Sequence, residues 1–175
     1  MPNSGGFLGT QRPATQIEVL QGFRDLLRAE LSEWDAESIY WTDTANPDTA
    51  HNLTRFIQIH AGGGTYGQGE IIGAGPNVII ENSMIGVTYW HRSEGDSSGK
   101  SELSMMMPED GLIVIKRRIL KALAGQMIYD QTTGALLTVA AMSPQSAIEP
   151  HPGDVDQPLD SVGLFFSVDF QWDLS

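Results

Sequence analysis

The strongest constraint on the fold is a strict alternation of apolar and mostly polar residues near the C-terminus. Apolar side chains stand at every second position from Leu164 to Leu174, and Ser167, Asp169 and Gln171 are among the residues between them. Side chains of a β-strand point alternately to its two faces. The pattern therefore predicts a strand with one face in a core and the other mostly in water. Such a strand needs partner strands and a covering layer.

Two amphipathic helices are predicted to supply that layer. The first is expected over about residues 16–34, where Thr15 and Glu18 match a capping box and apolar residues recur at helical spacing. The second is expected to begin with Pro108 at its first position and to end at Gly125. The two helical faces and the last strand should share one core, formed by Leu20, Phe23, Leu27, Leu31, Ile115, Ile119, Phe166, Val168, Phe170 and Trp172.

The remaining segments are shorter strands and loops. Strands are predicted at residues 38–41 and 53–60, a long strand or a bulged pair at 78–92, and a hairpin over 127–142. Loops are predicted at residues 42–52, at 61–77, which contains seven glycines, at 93–101 and at the proline-rich 143–159. Helices do not alternate regularly with strands. The predicted fold class is therefore α+β, with two amphipathic helices packed on one side of a mostly antiparallel sheet.

Length and composition indicate one domain. We expect a flexible N-terminal arm over residues 1–14 and a single α+β domain over residues 15–175. The absence of cysteine excludes disulfides and thiolate metal sites, and no cofactor is predicted. No apolar run approaches the roughly 18 residues that a membrane span needs.

The charges are unevenly distributed along an acidic chain. The formal net charge is −12, which disfavours attraction to nucleic acid. No basic residue follows Lys121, and the last third of the chain is rich in acids. We hypothesise that the basic side of the second helix meets acids of an adjacent subunit; a solvated face is the alternative. The candidate interface residues are Lys116, Arg117, Lys121, Asp154, Asp156 and Asp160.

Two motifs are typical of chemistry, but their surroundings do not fit. Residues 62–67 satisfy the dinucleotide pattern G-x-G-x-x-G, yet no helix can open directly after them. Residues 95–99 satisfy the nucleophile pattern G-x-S-x-G around Ser97, yet a buried strand before it and a helix after it are lacking. The four histidines stand at no metal-ligand spacing, so each is predicted to be satisfied locally.

The order of the predicted elements resembles that of the tail terminator, or tail completion, proteins of tailed bacteriophages. Those proteins open with an amphipathic helix similar to residues 17–34. A short strand and a proline-bearing loop precede a strand like residues 55–60 and a long central strand like 85–91. A second helix like residues 112–123 and a closing alternating strand like 164–172 complete the pattern.

The resemblance implies a structural virion protein that acts without catalysis. It implies a homo-oligomer, a hexameric ring, that caps the tail tube protein, stops its polymerisation and joins the tail to a head–tail connector or neck protein. A sheath would be a further partner in a contractile tail, and DNA would only pass through the lumen. The ring would assemble in the host cytoplasm and involve no membrane. A head–tail connector or stopper ring is the alternative, and a small serine hydrolase using Ser97 is a more remote one.

Overall fold

The computed structural model describes residues 10–43, 45, 53–67, 78–92, 109–151 and 159–173. These residues form two α-helices and one five-stranded sheet, and they confirm the predicted α+β class. The helices are α1 (Gln16–Glu30) and α2 (Leu112–Leu123). The strands are β1 (Ile39–Trp41), β2 (Arg55–Gly67), β3 (Val78–Arg92), β4 (Ser143–His151) and β5 (Leu159–Asp173). The order across the sheet is β1-β2-β3-β5-β4; β1 is parallel to β2, and every other pair is antiparallel.

Helix α1 begins at the predicted capping box. The Glu18 amide donates to Oγ1 of Thr15 at 3.3 Å, and the Thr15 amide donates to Oε2 of Glu18 at 2.8 Å. These bonds satisfy backbone groups that a helix start leaves without partners. The helix ends at Glu30, earlier than expected, but Leu31 and Trp34 remain buried in the turn that follows.

Helix α2 is shorter than the sequence predicted. It begins at Leu112 with Gly111 as its cap, so the expected role of Pro108 as the first helical residue is wrong. Its end is as predicted: Gly125 has a φ of 75°, a conformation that favours glycine, and its amide donates to the Met142 carbonyl at 2.9 Å. Neither helix is long and apolar enough to cross a membrane, as judged over the described residues.

The core lies between the two helices and one face of the sheet. Phe23 of α1 meets Phe166 of β5 edge to face, with ring centroids 6.0 Å apart. The predicted core residues are confirmed: all are buried except Trp172, which is partly buried and packs against the others. The inward-facing residues of β3 and β5 stand opposite each other, as in the pair Ile85 and Phe166. The alternating apolar side chains of both strands therefore lie in one apolar layer.

Four segments differ from the sequence prediction. The hairpin expected over residues 127–142 contains isolated bridges, such as the antiparallel one between Tyr129 and Leu136, but no strand. Residues 61–67, expected to be loop, continue β2 through a bulge. Residues 143–151, also expected to be loop, form the edge strand β4. Residues 10–14, expected to belong to a free arm, are held in place: the Ala14 amide donates to the Gln171 carbonyl at 2.8 Å, and Ala14 is buried. Residues 1–9 and 68–77 lie outside the described part of the chain.

Candidate subunit interface

Helix α1 of the same subunit neutralises part of the basic side of α2. Nζ of Lys121 lies 2.9 Å from Oε2 of Glu30. Arg118 forms an ion pair with Glu33 and donates to the Glu30 carbonyl at 2.5 Å. The hydrogen bond from Arg118 lowers the pKa of Glu33. The predicted contact of Lys121 with another subunit therefore competes with a contact inside its own subunit, which the sequence did not reveal.

Lys116 and Arg117 remain as candidate interface cations. Arg117 is exposed and Lys116 is half-buried. Within the described residues, no carboxylate forms an ion pair with either side chain. Both lie on α2, whose opposite face packs on the sheet. Neither charge is therefore neutralised by an acid of the described residues.

The acids predicted to face these cations fall into two groups. Asp154 and Asp156 lie outside the described residues. Asp160 was expected to lie in a loop. It lies instead in β5, which begins at Leu159. Its side chain is 2% exposed, and Oδ2 lies 3.5 Å from Nδ1 of His91. A carboxylate buried at this depth cannot form a contact at the subunit surface. The prediction that Asp160 is an interface residue is therefore wrong.

The pairing of His91 with Asp160 is a contact that sequence reasoning missed. The two residues stand opposite each other across β3 and β5, far apart in the chain. His91 borders a polar cleft that is also lined by Thr54, Arg55 and Asp110. A histidine beside a buried carboxylate is half of a nucleophile-activating arrangement. In the described part of the chain, however, no hydroxyl hydrogen-bonds to His91, and no group of three metal-binding side chains is present.

The contacts around this cleft tie the fold together. The Arg55 guanidinium stacks over the Trp34 ring at 4.6 Å and forms an ion pair with Asp110. Oη of Tyr89 donates to the Asp110 carbonyl at 2.9 Å, and burial raises the pKa of Tyr89. These bonds join the end of α1, the centre of the sheet and the segment before α2. The arrangement positions both helices on the sheet.

Of the two chemical motifs of the sequence, the structure describes only residues 62–67. Residues 62–67 form the outer part of β2. In a dinucleotide site the same motif would form a turn that leads into a helix. Ser97 lies outside the described residues, as does His51.

The two edges of the sheet carry exposed apolar side chains. Trp41 of β1 is 37% exposed, Tyr66 of β2 is 70% exposed and Ile148 of β4 is 51% exposed. The first two lie along one edge of the sheet and Ile148 lies along the other. Large apolar side chains on strand edges are typical of surfaces that pair with another chain.

The sequence matches no protein-family model, and a comparison with curated proteins gives no match. Function is therefore inferred from the fold and from these surfaces.

Proposed function

We propose that this chain is the tail terminator of a tailed bacteriophage. Its copies would form a ring, with six subunits as the expected number. The ring would cap the finished tail tube, stop its polymerisation and join the tail to the neck of the head. The action is geometric: binding to the last tube ring occupies the surface on which another tube ring would add, and no bond is made or broken.

The observation that carries the proposal is the order and placement of the elements. Apart from β4, which lies between the last two of them, an amphipathic helix, a short strand, two long strands, a second helix and a closing alternating strand follow one another. This is the order on which the resemblance to tail terminators rests. Both helices cover one face of a single sheet, and both edges of that sheet are open in the described residues. Such a subunit can join neighbours side by side.

The charge distribution suits the same role. A net charge of −12 gives a ring whose overall field repels the phosphate backbone, so DNA could pass through the lumen without binding. The half-buried Lys116 and the exposed Arg117 give each subunit a local basic surface on an otherwise acidic molecule. A head-to-tail ring needs two different, complementary surfaces on every copy.

The first test is the mass of the purified chain in native mass spectrometry. We expect a species of six times 19.1 kDa at micromolar concentration. The second test adds the chain to polymerising tail-tube protein from the same phage, with tube length measured by electron microscopy. Short tubes with a cap at one end are expected. Unchanged tube length, with binding to the head-side connector instead, would favour the neck-ring alternative.

A further inference from the structure

In the described part of the chain, the outer part of β2 is an open strand edge. Strand β1 pairs with β2 only from Ile57 to Ile59, and the Thr42 amide then donates to the Ile59 carbonyl at 2.8 Å. Beyond that point, residues 61–66 have β3 on one side and no strand of the described chain on the other. Residues 63–66 are all exposed. They include no charge and no proline, the usual means of protecting an edge from pairing.

Gly63 has no need to be glycine within its own subunit. A Cβ on Gly62 would meet the Met84 carbonyl oxygen at 2.8 Å, so the bulge requires a glycine there, and one on Gly64 would lie 3.1 Å from the Asn82 carbonyl oxygen, a tight contact. At Gly63 the same Cβ would meet nothing within 4 Å, and its φ is not positive. A glycine in a strand weakens the strand, and it often marks a bulge or a site that another backbone approaches closely.

The opposite edge of the sheet is β4. Within the described residues, a short window of this strand, residues 145–149, has no neighbouring strand on its outer side. Pro144 and Pro150 lack an amide hydrogen and bound residues 145–149, which are all exposed. On its inner side this window pairs with β5, as in Ile148 opposite Gly163. In the described residues no strand lies on its outer side. The window is close in length to residues 61–66.

Strand directions favour pairing between these two different edges. β2 is antiparallel to β3, β3 to β5, and β5 to β4, so β2 and β4 run in opposite directions within one subunit. A rotation about an axis roughly along the strands therefore brings β4 of one copy beside β2 of the next as an antiparallel pair. Pairing of β2 with β2 would instead close a dimer and leave β4 uncovered.

We infer that residues 61–66 of one copy pair with residues 145–149 of a second copy, so that the sheet continues from subunit to subunit around the ring. This inference rests on the proposed ring and specifies how its subunits join. The exposed Tyr66 and Ile148 would then be covered at the same junction. Within one subunit Ala147 stands level with Ile59, not with residues 61–66, so the pairing includes a stagger along the strands. Closing a sheet into a barrel requires such a stagger.

The test uses the absence of cysteine from the chain. The double variant Thr65→Cys with Ala147→Cys places one thiol on each edge, at positions that are both exposed. After mild oxidation we expect a ladder of covalent oligomers up to the ring on a denaturing gel. Each single variant is the matched control and is expected to stay monomeric on that gel, because like edges do not meet.

The native mass of the wild type is measured in parallel and separates two kinds of failure. A wild-type ring with no ladder in the double variant, or with dimers from a single variant, overturns the edge pairing and leaves the ring intact. A wild-type monomer overturns the ring as well. Hydrogen exchange of the wild type needs no substitution: slow exchange of the amides of residues 63–65 in the ring is expected, and fast exchange there contradicts the pairing.

Discussion

His60 of β2 lies over Gly86 of β3. The two residues stand opposite each other in the register, and a Cβ at position 86 would lie 2.2 Å from Nε2 of His60. The imidazole also packs edge-on against Phe165, with ring centroids 6.1 Å apart. Its Nδ1 is buried and has no hydrogen-bond partner in the described residues. The glycine thus provides the space in which the imidazole lies.

Gly86→Ala is expected to destabilise the subunit by about 1–3 kcal/mol, because the added methyl group overlaps the imidazole. In a His60→Ala background the same change should cost less than about 0.5 kcal/mol, since alanine otherwise suits a strand better than glycine does. Urea unfolding of the four proteins of this double-mutant cycle measures the coupling. Equal losses in both backgrounds would show that His60 does not restrict position 86.

The same histidine predicts a dependence of stability on pH. Burial lowers the pKa of His60 below its ordinary value of 6.5, so the imidazole stays neutral in the folded chain where the unfolded chain binds a proton. The stabilisation that depends on neutral His60 is therefore fully present above about pH 6.5. It is lost as the pH falls from there towards the lowered pKa. The free energy of unfolding, measured at pH 7.5 and 5.5, should fall more for the wild type than for His60→Phe. A fall of the same size in both proteins would contradict this.

Phe170 tests the core that the alternating strand predicts. Its side chain is fully buried and lies 6.1 Å from the Trp172 ring, centroid to centroid. Phe170→Ala should cost about 3–5 kcal/mol, the loss typical of removing a buried aromatic ring. Tyr66→Ala removes an exposed aromatic ring from another strand and should cost less than about 0.5 kcal/mol in the isolated subunit. Urea unfolding that gave similar losses for both variants would show that Phe170 is not part of the core.

Periodicity predicted the elements whose side chains face a core. Both helices were found, and β3 spans the residues 78–92 that the alternation indicated. β4 was missed because residues 145–149 are all exposed and carry no alternation, while Pro144 argued against a strand. An edge strand pairs on one side only and so tolerates proline. The glycine-rich part of β2 was predicted to be loop because glycines leave no side-chain pattern in the sequence. That part of the strand is held by main-chain pairing with β3.

The candidate interface was harder to predict because its contacts depend on long-range packing. Nothing in the local sequence shows that Lys121 faces Glu30 of another helix. The burial of Asp160 against His91 follows from the register between β3 and β5, which brings together residues far apart in the chain. Charge asymmetry identified the basic side of α2. The structure was needed to separate the cations that pair inside the subunit from those without a charged partner in the described residues.

Charge reversal at Lys116 and Arg117 therefore tests the proposed interface. Charge reversal at Lys121 is its matched control. Lys116→Glu with Arg117→Glu should leave the stability of the subunit within about 0.5 kcal/mol, because neither side chain has a charged partner in the described residues. The same variant should shift the native mass from ring towards monomer. Lys121→Glu places a second acid opposite Glu30; it should cost roughly 0–1 kcal/mol of subunit stability and leave the ring assembled.

Salt provides the independent measurement for this contact. Added sodium chloride screens exposed charges, so the wild-type ring should dissociate more readily as the ionic strength rises. The ring of the Lys121→Glu variant should respond to salt as the wild type does, since its altered pair lies inside one subunit. If the mass distribution of the double variant matched that of the wild type at every salt concentration, the basic side of α2 would not be a subunit contact. The junction would then rest on main-chain pairing and apolar side chains alone.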